Sequence, residues 1–178
     1  MKTIKRIAAL LLGTTLLLGL LSGCGNKKQG NEKLVLNVGV CGAIDSLDPA
    51  MNTDTDADSI FHALYENLMR ESDDGSGEVT LTNGMAKEYT EETNYDGSVT
   101  YRFTLRSTAR WSDGDKVTAD DFVYAWQRVV TPETASEYAW YMELMNLQNA
   151  TQIIAGEMEP DQLGVVALDD KTLQVTLT

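Results

Sequence analysis

Cysteine, histidine and proline are scarce in this chain, and each scarcity removes a class of function. Its 178 residues hold two cysteines, Cys24 and Cys41, one histidine, His62, and three prolines. Zinc takes its ligands chiefly from Cys and His, so no zinc-binding spacing can be assembled. A Ser-His-Asp or Cys-His nucleophile would have to use His62. That residue lies inside a helical pattern with no serine motif beside it. Basic residues are also few, 14 Lys and Arg against 27 Asp and Glu, for a net charge of −13. Lys2, Lys5 and Arg6 fall in the first six residues, so the remainder is more acidic still. Such a surface repels nucleic acid and anionic lipid. No glycine-rich phosphate loop follows a strand, and there is no internal repeat or low-complexity tract. What is present is 43% apolar residues, enough for a core in one domain or a domain and a half.

No apolar run reaches the ~20 residues that span a membrane. The longest, "IAALLLGTTLLLGLL" at 7–21, follows the basic "MKTIKR" and has the proportions of a secretory signal. It ends in Leu21-Ser22-Gly23-Cys24. Small residues before a cysteine, directly after such a run, match the bacterial lipobox, whose cysteine receives a diacylglyceryl thioether and begins the mature chain. An ordinary signal peptide that happens to contain a cysteine is the alternative. Acyl chains contribute ~0.8 kcal/mol per buried methylene, so two or three make a stable anchor. The polar residues 24–33 read as a flexible tether. With Cys24 lipidated, Cys41 stands alone and forms no intrachain disulfide. It sits in the apolar run "LNVGVCGAI", which predicts a buried, inert thiol.

Leu34, Leu36, Val38 and Val40 alternate as in a strand. "DSLDPA" reads as a turn. In "MNTDTDADSIFHALYENLM", Ile60, Phe61, Leu64 and Leu68 recur at helical spacing, with Asp56, Asp58 or Ser59 as cap. "ESDDGSGEVT" reads as a loop. Val99, Tyr101, Phe103 and Leu105 alternate in a strand entered through Asp96-Gly97. Trp111 to Asp115 is a turn favoured by Asp113-Gly114. Thr118 and Asp121 form a capping box for a helix with Phe122, Trp126 and Val129 on one face. Thr131-Pro132 ends that helix. Residues 149–155 look helical, with Gly156 as C-terminal cap. Gly164–Leu168 and Leu173–Leu177 form a hairpin around Asp169-Asp170-Lys171.

The abundant acids invite sharper readings. Asp54, Asp56 and Asp58 resemble the start of a calcium loop. An EF-hand also needs Gly at its sixth and Glu at its twelfth position, which here are Ser59 and Tyr65. Counted from Asp113 those positions are Thr118 and Tyr124, which fail as well. No metal or other cofactor is expected. A two-carboxylate hydrolase stays open at this point, although each acid has a simpler turn or capping role. Trp111 and Trp126 read as core. The rings of "SEYAWY" at 136–141 could be core or could line a cleft.

Five stretches, in this order, resemble a known family: "LDP" at 47–49, "LYENL" at 64–68, "YRFTLRSTARWSDGDKVTADDFVYAWQR" at 101–128, "TPETASEYA" at 131–139 and "LGVVALDDKTLQVTL" at 163–177. They look like the N-terminal part of the oligopeptide-binding lipoproteins of bacterial ABC importers, the extracytoplasmic solute-binding family 5. "T-A-S-x-Y-A" and "L-G-V-x-A-x-D-D" point to its oligopeptide branch rather than to the nickel or haem branches.

The resemblance implies an α/β, periplasmic-binding-protein-like, two-lobed fold with an extra domain, closing over its ligand. It implies a non-catalytic receptor, monomeric, that binds short peptides through their backbone and delivers them to ABC permease subunits. It is expected to be anchored by lipid at Cys24 on the outer face of the cytoplasmic membrane, or to face the periplasm where an outer membrane exists. The segment alongside the peptide maps to Thr53, Asp54 and Thr55, and the tyrosine of "T-A-S-x-Y-A" maps to Tyr138. The family's acidic partner for the peptide amine belongs to the other lobe. The expected division is 1–23 signal peptide, 24–33 tether, 34–66 start of the first lobe, 67–168 extra domain and 169–178 a returning strand. The chain stops at Thr178 inside that strand, so a fragment or truncated product, with half of the cleft, is expected. A peptide-pheromone receptor of the same family, or a secreted lipoprotein hydrolase, are the rival readings.

Overall fold

A four-stranded antiparallel sheet carries the core. The computed structural model describes residues 35–73 and 75–178. The signal peptide, Cys24, the tether and Leu34 lie outside the described residues. The chain divides into two compact units, Met1–Gly39 and Val40–Thr178. Among the described residues, every helix and strand lies in the second.

The sheet is ordered β3-β4-β6-β5, from Ala86–Thr93 (β3), Val99–Leu105 (β4), Val165–Asp169 (β5) and Thr172–Leu177 (β6). The alternation read in β4 and β6 is what builds its inner face. Phe103 pairs with Leu173, Tyr101 with Val175, and Val165 with Val175. These residues, with Leu105, Leu147 and Ile153, belong to one apolar cluster. The outer face is polar: Arg102 donates to Gln174 at 3.1 Å and to Glu92 at 2.9 Å. Helix Ala119–Val130 (α2) lies against β5 and β6, with Phe122, Val123 and Trp126 turned onto the cluster. Short helices Ala139–Leu144 (α3) and Ala150–Ile154 (α4) follow it.

The Asp169–Lys171 turn is fastened to the start of α2. The Asp170 carbonyl accepts from Ala119 N–H at 2.9 Å, satisfying one of the helix's unpaired first-turn amides. Lys171 Nζ donates to the Val117 carbonyl at 2.5 Å. The Thr118 box forms as read: Asp121 Oδ2 accepts from Thr118 N–H at 2.7 Å and from its hydroxyl at 3.2 Å. The same oxygen accepts from Trp111 Nε1 at 3.3 Å, tying the preceding turn to the helix. Gly114 takes φ 102° in that turn.

Five expectations fail, the first being Trp111, expected in the core but 43% exposed. Residues 35–40 are not a strand, and Cys41 is exposed rather than buried. An alternating run needs a ladder partner to become a strand; none is present among the described residues, so Val35, Leu36 and Val38 stay exposed. The first helix, Thr55–Leu64 (α1), is capped by Asp54 and not by a later residue, and Leu68 lies beyond its end. The stretch read as a loop from Glu71 is largely a hairpin of Met69–Asp73 (β1) and Val79–Asn83 (β2). Strand β3, "AKEYTEET", was also invisible in the sequence. These three strands bury almost nothing beyond Ala86, and a strand without a buried face shows no alternation.

Candidate functional site

The segment from Ser46 to Asp54 is a chain of side-chain-to-backbone turns. Ser46 Oγ accepts from Asp48 N–H, and Asp48 Oδ1 from Ala50 N–H, each at 3.1 Å. Met51 N–H closes a turn on the Asp48 carbonyl at 3.0 Å around Pro49. Asp48 is also the anchor. Arg128, in the last turn of α2, grips it with both terminal nitrogens at 2.7 and 2.5 Å. The Arg128 guanidinium holds the Asp48 carboxyl below the usual carboxylate range, and the same bond raises Arg128.

Asn52 then clamps Asp54. Its Oδ1 accepts from Asp54 N–H at 3.1 Å and its Nδ2 donates to the Asp54 carbonyl at 3.0 Å. The Asp54 side chain in turn caps α1, with Oδ1 accepting from Asp56 N–H at 2.7 Å and Ala57 N–H at 2.9 Å. Both backbone groups of Asp54 are therefore occupied. Thr53, held between the two, is different: its N–H and carbonyl have no partner among the described residues.

Tyr138 arrives from the other end of the unit. Pro132 ends α2 and opens a 3-10 turn, Pro132–Thr134; Ala135 follows at φ 52°. This reversal carries the chain to Tyr138, whose carbonyl accepts from Tyr141 N–H at the start of α3. Tyr138 remains 46% exposed. Its ring lies 6.4 Å from that of Trp140, which meets Tyr141 edge-on at 5.9 Å. Those three rings are surface features, whereas Trp126 packs on the core.

Thr53, Asp54, Thr55 and Tyr138 meet around one cleft of ≈ 320 Å³, completed by Pro49, Asn52, Asp58 and Phe61. Backbone donor and acceptor at Thr53, an aromatic wall at Tyr138 and Phe61, and two carboxylates suit non-covalent capture of a polar chain. Reasoning from sequence missed Asn52. Its signal was present: an Asn two residues before a capping Asp is placed to bond the backbone. The acids of "WSDGDKVTADD" line no part of this cleft. His62 sits 3.5 Å from Asp58 on exposed helix surface. Asp54, Asp56 and Asp58 do not converge, and no group of three acidic, Cys or His residues placed to hold a metal occurs among the described residues.

Residues 80–178 match the sequence profile of the bacterial extracellular solute-binding proteins, family 5. The chain is 40% identical over 132 residues to the periplasmic murein peptide-binding protein MppA of Escherichia coli, covering 74% of this chain and 23% of that protein. It superposes on Haemophilus influenzae OppA in complex with RPPGFSPFR with a TM-score of 0.65 and 39% identity, over 75% of this chain and 25% of the other. The pheromone receptor PrgZ aligns with a TM-score of 0.65 and 34% identity, over 76% and 25%. The chain thus spans about a quarter of the length of these relatives, and the mixed helix-and-strand unit is a segment of their two-lobed binding-protein fold. With the profile matched over more than half of its residues, the chain belongs to the bacterial extracellular solute-binding proteins of family 5.

Proposed function

We propose that this chain is part of an extracytoplasmic receptor that binds oligopeptides, without turnover, and delivers them to an ABC permease. The observation that carries the reading is Thr53. Its N–H and carbonyl are unpaired among the described residues, and the residue lines a cleft together with Tyr138. Such a donor and acceptor are what an extended peptide needs in order to add itself as a strand. Asp54, with its backbone taken by Asn52, serves as the rigid neighbour that presents Thr53, and Thr55 opens α1 behind it. The peptide named in the Haemophilus complex supports the same substrate class.

In this proposal residues 34–66 begin the first lobe, 67–168 form the family's extra domain and 169–178 return toward the lobe. Cys24 carries the lipid anchor. Native mass spectrometry of the full-length product with a mixture of unrelated short peptides tests the binding; peptide adducts of mixed sequence support it, and their absence refutes it. Replacing Cys24 by Ala should release the protein from the membrane fraction; retention there would refute the lipid anchor. The resemblance to PrgZ favours a second reading, a receptor for a peptide signal. One tightly preferred peptide in place of a broad mixture would establish that reading.

A further inference from the structure

The side chain of Asn52 does what a neighbouring strand would do. Asp54 has the backbone of a strand residue, φ −108° and ψ 142°, yet belongs to no strand. An extended residue offers its N–H and carbonyl to a ladder partner. Here one carboxamide takes both: Oδ1 accepts from Asp54 N–H at 3.1 Å and Nδ2 donates to the Asp54 carbonyl at 3.0 Å. A carboxamide carries an acceptor and a donor together, as a peptide group does. A carboxylate at this position could accept from the N–H and could give nothing to the carbonyl. Thr53, next to Asp54 and lining the same cleft, has neither backbone group paired among the described residues.

The segment is pinned on both sides of Thr53. Upstream, Met51 N–H donates to the Asp48 carbonyl at 3.0 Å, and Arg128 holds the Asp48 carboxylate at 2.7 and 2.5 Å. Downstream, Asp54 Oδ1 accepts from Asp56 N–H and Ala57 N–H and so is tied to α1. Register matters in strand pairing, because a slip of one residue turns every side chain to the opposite face. A ligand held by its backbone brings no side-chain key to its own register. The receptor must supply one, by limiting which backbone groups are free to pair.

We infer that Asn52 is a positioning residue that sets the register of the bound peptide: its carboxamide occupies Asp54 as a partner strand would, and so directs the peptide's backbone bonds to Thr53. The inference rests on the peptide-binding reading and names the residue that fixes how the peptide is placed.

The test is calorimetry of the full-length protein against tetraalanine and a series in which each amide link in turn is an ester. An ester lacks the N–H and keeps the shape, so the series shows which peptide N–H groups are bonded. Losing one such bond, with its acceptor left unpaired, costs about tenfold in affinity. Asn52→Ala and Asn52→Asp both free the Asp54 carbonyl, a second acceptor for peptide N–H. Asn52→Asp keeps the bond from Asp54 N–H, so the turn survives in it should Asn52→Ala fail to fold; thermal melts check both. Bonds from the rest of the protein are common to wild type and variants and cancel in the comparison. In the variants the ester penalty should fall at one link and appear at another, because the peptide now divides between Thr53 and Asp54. A penalty pattern identical to that of wild type overturns the inference alone. So does an equal weakening at every link, which would make Asn52 a structural residue only. No binding of tetraalanine to the wild-type protein overturns the peptide reading and this inference with it.

Discussion

Substituting Gly164 by alanine should destabilise this unit strongly. Gly164 lies where three backbone segments meet. Its N–H donates to the Gln148 carbonyl at 2.9 Å, its carbonyl accepts from Thr176 N–H at 2.8 Å, and Gln148 N–H donates to the Thr176 carbonyl at 3.0 Å. A Cβ at 164 would stand 2.6 Å from Gln148 Cβ and 2.8 Å from the Thr176 carbonyl oxygen. Ordinary carbon contacts need about 3.5–4.0 Å, so one segment must move by about 1 Å. Each of the three hydrogen bonds contributes about 1 kcal/mol, and overpacking alone costs about 1–3 kcal/mol. The expected loss is about 3 kcal/mol, a large share of the 5–15 kcal/mol typical of a domain. Gly97 is the control. Its φ is 91°, and nothing lies within 4 Å of a Cβ there. Gly97→Ala should therefore cost only the ~1–2 kcal/mol of a left-handed alanine. Urea titration followed by circular dichroism reads both variants against wild type. A Gly164→Ala loss below about 0.5 kcal/mol, or below that of Gly97→Ala, would refute the packing argument.

Leu173, fully buried on the central strand β6, should lose about 3–4 kcal/mol on truncation to Ala; Leu81, 66% exposed, should lose under about 0.5 kcal/mol, and equal losses by urea titration would contradict the core assignment. Asp121→Ala removes the acceptor shared by Thr118 and Trp111. It should cost about 1 kcal/mol and shift Trp111 fluorescence; an unchanged emission spectrum would show that this tie is unimportant in solution. Asp48 has a carboxyl held low by Arg128, so its contribution is present above its unfolded value near 3.8 and is lost as pH falls through the lower folded value. The stability gap between wild type and Asp48→Asn should therefore be open at pH 7 and close below about pH 4; a pH-independent gap in denaturant midpoints would contradict the ion pair.

How legible the fold was depended on burial. Strands β4 and β6 were plain because Phe103, Leu105, Leu173 and Val175 alternate toward one core. Helix α2 was plain because Thr118, Asp121 and Pro132 mark both ends. Strands β1, β2 and β3 were hidden because solvent on both faces leaves no periodic constraint on residue type. The run ending at Cys41 erred in the opposite sense. Its apolar alternation is real, but alternation reports only an ability to pair, and no partner strand is present among the described residues. The cleft was legible in its members and not in its mechanism. Thr53, Asp54, Thr55 and Tyr138 came from resemblance, and they do share one cavity. The spacing of Asn52 from the capping Asp54 was a signal for its backbone bonds, but nothing in the sequence showed that Thr53 between them keeps its N–H and carbonyl unpaired.

The central claim is that the protein containing this chain captures peptides broadly. Isothermal titration calorimetry of the full-length protein against short peptides of unrelated sequence tests it most directly. Saturable binding of many peptides, each recovered uncleaved afterwards, is the expected result. Failure to bind any peptide, with binding of nickel or a sugar in its place, would contradict the claim.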